Sequence, residues 1–351
     1  MRALIYDHAR AQPRVTELAD PVAPPGGAVI RVEASGVSRS DWHAWAGHDS
    51  DVATFPHVPG HEFAGVVESV GSGVDAAWVG RAVTAPFVQA CGRCPTCLRG
   101  DGQVCPHQVQ PGFTAAGSFA ERVVVVAAAT NLVTLPDAVP ARLAAALGCR
   151  VATAHRAVVT RAAVAPGETV VIVGCGGVGL AAVQVAVSRG ARVCAVDVDP
   201  GSRELATTLG AEHLVDGALP EHDVVDEVVR WSEGGASVSV DAVGSPAACR
   251  TAILSLGRRG RHVQVGLLPP AVGPVDVPMG RVIAWELDVL GSHGMAAADY
   301  ALLLEDVASG RLDLASLLAP GEPVGLADTG RLLTDLGETP SRGIVLVDPS
   351  R

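Results

Sequence analysis

Short apolar runs broken by glycine and proline dominate the first 150 residues. Ala28 to Glu33, Ala64 to Val70 and Glu121 to Val126 combine β-branched residues with turn formers at their ends, and Met1 to Asp7 reads as another strand. This texture predicts an irregular β domain over 1–150. From 151 the pattern changes. Thr169 to Gly174 is an apolar strand, Val178 to Arg189 has helical character and ends at Gly190 as a C-cap, and Arg192 to Asp197 is the next strand. Val238 to Ala242 and Arg261 to Val265 continue the series with helical segments between them. Such alternation predicts an α/β layer over 151–290, a parallel sheet with helices on both faces. The last stretch, 291–351, holds one helical segment, Ala298 to Ser309, and a final strand, Gly343 to Val347.

One run would pass a hydropathy scan for a membrane helix. From Val170 to Val187 the only conventional polar side chain is Gln184. Four glycines fall within its first ten residues, after a β-branched run. A buried strand, a turn and a helix explain that order better than a span. Of the 351 residues, 48% are hydrophobic, enough for large cores. The net charge of −11 is spread along the chain and disfavours nucleic acid or an anionic membrane as a partner. The chain opens on a strand-like segment rather than a secretion signal, so its eight cysteines point to metal ligation in a reducing compartment, the cytoplasm.

Two motifs carry their own chemistry. Gly174-Cys175-Gly176-Gly177-Val178-Gly179 follows a strand and opens a helix, and Asp197 closes the next strand 18 residues after Gly179. That context marks a dinucleotide-binding turn, in which the glycines let a pyrophosphate reach the free N–H groups of a helix N-terminus. Asp197 is placed to accept the adenosine ribose hydroxyls and to repel a 2′-phosphate, which favours NAD(H) over NADP(H); the neighbouring Arg203 works against that preference. The second motif is Cys91-x2-Cys94-x2-Cys97-x7-Cys105, four thiols within 15 residues, as a closed tetrahedral zinc site requires. Cys175, Cys194 and Cys249 lie in apolar surroundings and read as core residues.

The stretches Gly36-Val37-Ser38-Arg39-Ser40-Asp41-Trp42-His43, Gly60-His61-Glu62 and Gly148-Cys149-Arg150-Val151-Ala152-Thr153, together with the cysteine motif, resemble the zinc-dependent medium-chain alcohol dehydrogenases. The resemblance covers essentially the whole chain. It implies a GroES-like catalytic domain with a structural-zinc lobe over 1–150, a Rossmann NAD-binding domain over 151–290, and a return to the catalytic domain over 291–351. It places Ser38, His61 and Cys149 at the three catalytic-zinc positions, with Glu62 beside the metal and able to approach it, and Asp41 orienting a ligand. Ser40 matches the hydroxyl that receives the substrate proton, and His43 the end of a relay to solvent. Arg39 matches a pyrophosphate contact, Thr153 a residue near the nicotinamide, and Trp45 and Phe87 the substrate pocket. A homodimer or homotetramer is the implied assembly.

Ser38 is the departure, because that position is normally Cys in the family. A neutral hydroxyl is a poorer zinc ligand than a thiolate. Three outcomes stay open: zinc held by His61, Cys149 and Glu62; zinc held weakly with Ser38; or no catalytic metal. The leading expectation is an NAD(H)-dependent alcohol dehydrogenase or aldehyde reductase. The alternative is a metal-independent reductase of an activated C=C or C=N bond, which needs hydride and a proton but no Lewis acid. A non-catalytic dinucleotide-binding protein is a third, distant reading.

Overall fold

The computed structural model describes residues 1–268, 273–337 and 342–351. It comprises two compact units, 1–152 together with 294–351, and 153–293.

In the first unit, β1 (Arg2–Ile5) and β2 (Arg14–Glu17) form an antiparallel hairpin. The larger sheet is built from β3 (Ala28–Val37), β4 (Phe63–Val70), β5 (Ala82–Thr84), β6 (Arg122–Val125), β7 (Val133–Thr134) and β14 (Val345–Val347). Its order is β14-β3-β4-β5-β7, with β6 also paired to β3. All its pairings are antiparallel, and the β3–β4 register shifts twice, between Val29 and Ile30 and between Val32 and Ala34. Such bulges bend the sheet. Within β3, Arg31 and Glu33 face solvent while Ile30 and Val32 enter a core with Phe63, Val67, Val83 and Val123. The strand outruns its apolar pattern and continues to Val37, which carries it to the edge of a polar pocket.

The second unit is a six-stranded parallel sheet. Its strands are β8 (Thr169–Val173), β9 (Arg192–Asp197), β10 (His213–Asp216), β11 (Ala236–Asp241), β12 (Leu256–Gln264) and β13 (Asp288–Gly291), in the order β10-β9-β8-β11-β12-β13. The order reverses between β8 and β11, the point at which a doubly wound sheet opens a crevice for a ligand. Val170 to Val173 are buried, as expected of a strand covered on both faces. Val171, Val173, Cys194, Val196, Val215, Val224 and Val228 form the core on one side. Each buried aliphatic side chain contributes roughly 1.5–3 kcal/mol.

The apolar run 170–187 resolves into β8, the glycine turn and the helix Gly177–Ser188. Gly190 follows at φ 77°, a left-handed turn that ends the helix. Among the described residues no helix is long and apolar enough to cross a membrane. The strands β10 and β13 and the helices Pro200–Thr208 and Glu221–Trp231 had no individual sequence prediction. They are short or mixed in polarity, and packing on the sheet selects them.

Candidate active site

The glycine turn sits where β8 meets its helix. Gly174 has φ 93°, and a side chain there would strike Val243. A Cβ on Gly179 would collide with the Gly174 carbonyl, so only glycine lets the helix pack this close to the strand end. Gly176 is the N-cap and faces open space; Gly177 begins the helix. Asp197 ends β9 and turns its carboxylate to this loop, accepting from the Cys175 N–H at 2.6 Å and the Asp199 N–H at 2.8 Å. Arg203 is committed elsewhere. It donates to the Asp197 carbonyl at 2.5 Å and to Asp216 at 3.1 Å. Thr153 begins the same unit, its hydroxyl buried and without a hydrogen-bond partner among the described residues.

The four lobe cysteines come together, all ligand atoms lying within 4.8 Å of one another. Sulfur–sulfur separations are 3.4 Å for Cys94–Cys97, 3.8 Å for Cys94–Cys105 and 3.9 Å for Cys91–Cys97. Tetrahedral Zn–S bonds of 2.3 Å require sulfurs about 3.8 Å apart, so the cage fits the ion. Backbone N–H groups of Cys91, Cys97 and His107 point at the sulfurs, at 3.3–3.5 Å. The Arg93 amide leads in drawing the Cys91 thiol down to about 6, whereas burial pushes Cys97 up to about 12. Four adjacent thiols cannot all ionise by themselves; a divalent cation lets them. Cys175, Cys194 and Cys249 are buried and free, as expected of core residues.

The third constellation lies wholly in the first unit. Ser38 follows β3 and caps the helix Arg39–Trp45 in a reciprocal capping box. Its Oγ accepts from the Ser40 N–H at 3.2 Å, and Asp41 accepts from the Ser38 N–H at 2.9 Å. The other Asp41 oxygen lies 2.8 Å from His61 Nδ1. A carboxylate only accepts, so Nδ1 carries a proton and Nε2 is the nitrogen left to take a metal or a second proton. Nε2 lies 3.5 Å from Ser38 Oγ, and the Cys149 side chain also contacts His61. Burial opposes charge on His61, yet Asp41 and Cys149 together hold its pKa well above the ordinary value. Ser38, Asp41, His61 and Glu62 are all buried, and Phe87 and Phe113 flank the imidazole at 6.0 and 5.0 Å between ring centres.

Glu62 departs from its expected place. Rather than standing free beside His61, it spends both oxygens on Arg150, accepting from the backbone N–H at 3.0 Å, from Nε at 3.1 and 3.2 Å and from Nη2 at 2.7 Å. Arg150 Nη1 donates to the Val37 carbonyl at 2.9 Å, so the pair ties β3, β4 and the Cys149 segment together. Burial works against the guanidinium charge and Glu62 outweighs it, keeping the pKa raised. Gly36 is required beneath this pair, since a Cβ would strike Glu62 and Arg150. Arg150 carried no expectation. Its signal was its place next to Cys149, but a buried arginine is recognised only once its carboxylate is found.

Other expected residues take these positions. Arg39 lies over the Trp42 ring at 5.4 Å and donates to the Leu336 carbonyl. Ser40 opens the helix beside Ser38, and the Trp45 indole donates to the Ala11 carbonyl at 2.7 Å. His43 pairs with His48 through Nδ1 atoms 3.1 Å apart.

For zinc at this pocket, His61 Nε2 and Cys149 are donors of the required kind, with Asp41 holding the imidazole tautomer. Ser38 adds a hydroxyl oxygen that retains a lone pair beyond its capping bond. The donor set fits a metal but carries one negative charge fewer than a two-thiolate site.

A match to the family described as "Alcohol dehydrogenase GroES-like domain" covers residues 24–137, and one to "Zinc-binding dehydrogenase" covers 177–309. An alcohol dehydrogenase of Geobacillus stearothermophilus is 34% identical over 313 residues, 89% of this chain and 90% of that protein. One from Schizosaccharomyces pombe is 32% identical, covering 83% and 82%. Among solved structures, the alcohol dehydrogenase TADH from Thermus sp. ATN1 superposes with a TM-score of 0.89 at 28% identity, over 99% of both chains. A thermostable alcohol dehydrogenase from Pyrobaculum aerophilum gives 0.85 at 30%, again over 99% of both. The chain belongs to the zinc-type medium-chain alcohol dehydrogenase family and is an oxidoreductase.

Proposed function

We propose that this chain is an NAD(H)-dependent alcohol dehydrogenase or aldehyde reductase acting on small molecules, with a catalytic zinc held by His61, Cys149 and the hydroxyl of Ser38. The observation that carries this reading is Ser38 Oγ 3.5 Å from His61 Nε2, with Asp41 fixing the ring from behind through Nδ1 and the Cys149 side chain beside the same imidazole. When bound, zinc would supply Lewis acidity to the substrate oxygen. Asp41 accepts the Nδ1 proton's hydrogen bond, so that Nε2 is the nitrogen that would face the metal. Ser40 would accept the substrate hydroxyl proton and His43 would pass it toward solvent; the pKa of His43, lowered chiefly by burial, keeps it neutral and able to accept. Phe87 and Trp45 give the pocket its apolar walls.

NAD(H) is preferred to NADP(H) on this reading because Asp197 holds a carboxylate at the glycine turn, while Arg203, the cation that could greet a 2′-phosphate, is already paired with Asp216. Assembly with a second copy is supported by Met279, Ile283 and Val289, exposed on the helix before β13 and on β13 itself, an edge strand. Free cysteines and thiolate zinc chemistry favour the cytoplasm.

One observation favours the metal-independent alternative: Ser38 already serves as a helix cap, and Glu62 is locked on Arg150. The deciding experiment measures NADH and NADPH affinity by fluorescence titration and NAD-linked alcohol oxidation with and without added zinc. Tighter NADH binding and zinc-stimulated oxidation are expected. Turnover of alkenes or imines alone, indifferent to zinc, would replace this reading with the alternative.

A further inference from the structure

The helix Arg39–Trp45 ends in a way that delivers a second histidine to the first. Ala46 is the C-cap and Gly47 follows at φ 78°. The Gly47 N–H donates to the Ala44 carbonyl at 3.1 Å and the His48 N–H to the His43 carbonyl at 2.9 Å. This is a Schellman turn, and its left-handed glycine folds His48 back over the last turn of the helix. The two rings meet with Nδ1 atoms 3.1 Å apart, and the Trp42 ring packs edge-on against both, at 4.8 and 5.3 Å. His43 is half-buried and His48 is exposed, so the pair runs from the protein to solvent.

A short Nδ1–Nδ1 contact admits one proton between two lone pairs, so the rings hold complementary tautomers. On the far side of His48, Arg10 Nη2 lies 3.4 Å from Nε2. A guanidinium can only donate, so this contact favours the tautomer in which His48 Nε2 has no proton.

We propose that His48 is a second station of the proton relay, taking the proton that reaches His43 and releasing it to solvent. The inference rests on the alcohol dehydrogenase reading of the site. Each oxidation of an alcohol to a carbonyl gives a hydride to NAD and one proton to be removed. That proton arrives at His43 Nε2. The His43 Nδ1 proton crosses to His48 Nδ1, and the His48 Nε2 proton leaves to water. One proton enters and one leaves, both rings end neutral in the tautomers that Arg10 favours, and proton exchange of both rings with water restores His43 Nδ1–H and His48 Nε2–H for the next oxidation. Reduction runs the chain backwards. The charges facing the pair suit a carrier rather than a store. Burial, His48 and Arg39 disfavour a cation on His43, and Asp49 only partly offsets them.

The test is the pH dependence of alcohol oxidation in His48→Phe, which keeps a ring against Trp42, with His48→Ala as a second variant. Both should bind NADH as the wild type does. Below neutral pH, turnover should fall roughly tenfold, less than the 10²–10⁴ typical of losing a proton-transfer group in contact with the reactants. Phosphate and imidazole should restore it in proportion to buffer concentration, with the wild type as the control for direct inhibition. A purely packing role for His48 gives no such rescue. Unchanged pH profiles in both variants without buffer response would overturn the inference alone; a wild type without alcohol turnover would overturn the functional reading and this inference with it.

Discussion

The cysteine lobe is built for a zinc-type cation, and so, on the proposed reading, is the pocket around His61, yet the two are made in opposite ways. The lobe draws four thiols from one 15-residue segment, and local N–H groups point at the sulfurs. The pocket gathers one residue each from the end of β3, the approach to β4 and the turn before residue 150, and uses a hydroxyl where the lobe would have a thiolate. Binding in the lobe is therefore inseparable from folding of the lobe. The pocket has a hydrogen-bonded frame of its own, the Glu62–Arg150 pair and the Ser38–Asp41–His61 chain. A site whose frame is independent of its ion tolerates a change of ligand; the lobe does not.

The largest effect expected from this contrast is on the lobe. Cys97→Ala removes a thiolate from a closed site whose zinc-binding free energy, on the order of 10 kcal/mol in comparable small sites, doubles as folding free energy. Thermal unfolding should show a much lower melting temperature, with exposure of the 91–105 segment to protease. A melting temperature equal to that of the wild type would mean that the lobe folds without its ion.

Arg150 provides the next largest effect, by a route that needs no metal. Its side chain and that of Glu62 are 7% and 0% exposed. Arg150→Met leaves a carboxylate buried without its partner, at a cost of about 3–5 kcal/mol in urea unfolding. Adding Glu62→Gln should return much of that loss. If zinc-depleted Arg150→Met were as stable as the zinc-depleted wild type, the pocket would owe its frame to the ion after all.

Acid should produce the smallest effect. Burial lowers the pKa of His57, His262 and His293 from the ordinary 6.5, so the unfolded chain binds protons before the folded one does. The stability these neutral rings confer is present above pH 6.5 and drains away as pH falls through their depressed values. His61, with its pKa raised in the metal-free pocket, acts in the opposite sense. The urea midpoint should drop between pH 7 and pH 5.5; a rise would show His61 dominating the three buried rings.

The same contrast governs what could be seen in the sequence. The lobe and the glycine turn were legible because all their parts lie within one segment, where spacing alone defines geometry. The β8–helix junction and Asp197 took the places their order implied. His61 and Cys149 could be assigned only through resemblance, because 23 and 111 residues separate them from Ser38 and no local period links them. Arg150 and His48 were not legible. A buried arginine depends on which of many carboxylates folds against it. His48 reaches His43 only because Gly47 turns left-handed, which reads in sequence as an ordinary loop glycine. The Glu62–Arg150 pair was not legible for the same reason: the neighbour of Glu62 in sequence is His61, but its partner in space is Arg150.

Zinc content after dialysis against a chelator tests the central claim most directly. The wild type should keep one tightly held zinc per chain, in the lobe, and lose a second readily, because Ser38 gives the pocket a neutral donor. Ser38→Cys should keep two, and its alcohol oxidation should survive the dialysis. A wild type that retains two zincs as firmly as Ser38→Cys, or a Ser38→Cys variant that still retains only one, would contradict the account of the pocket.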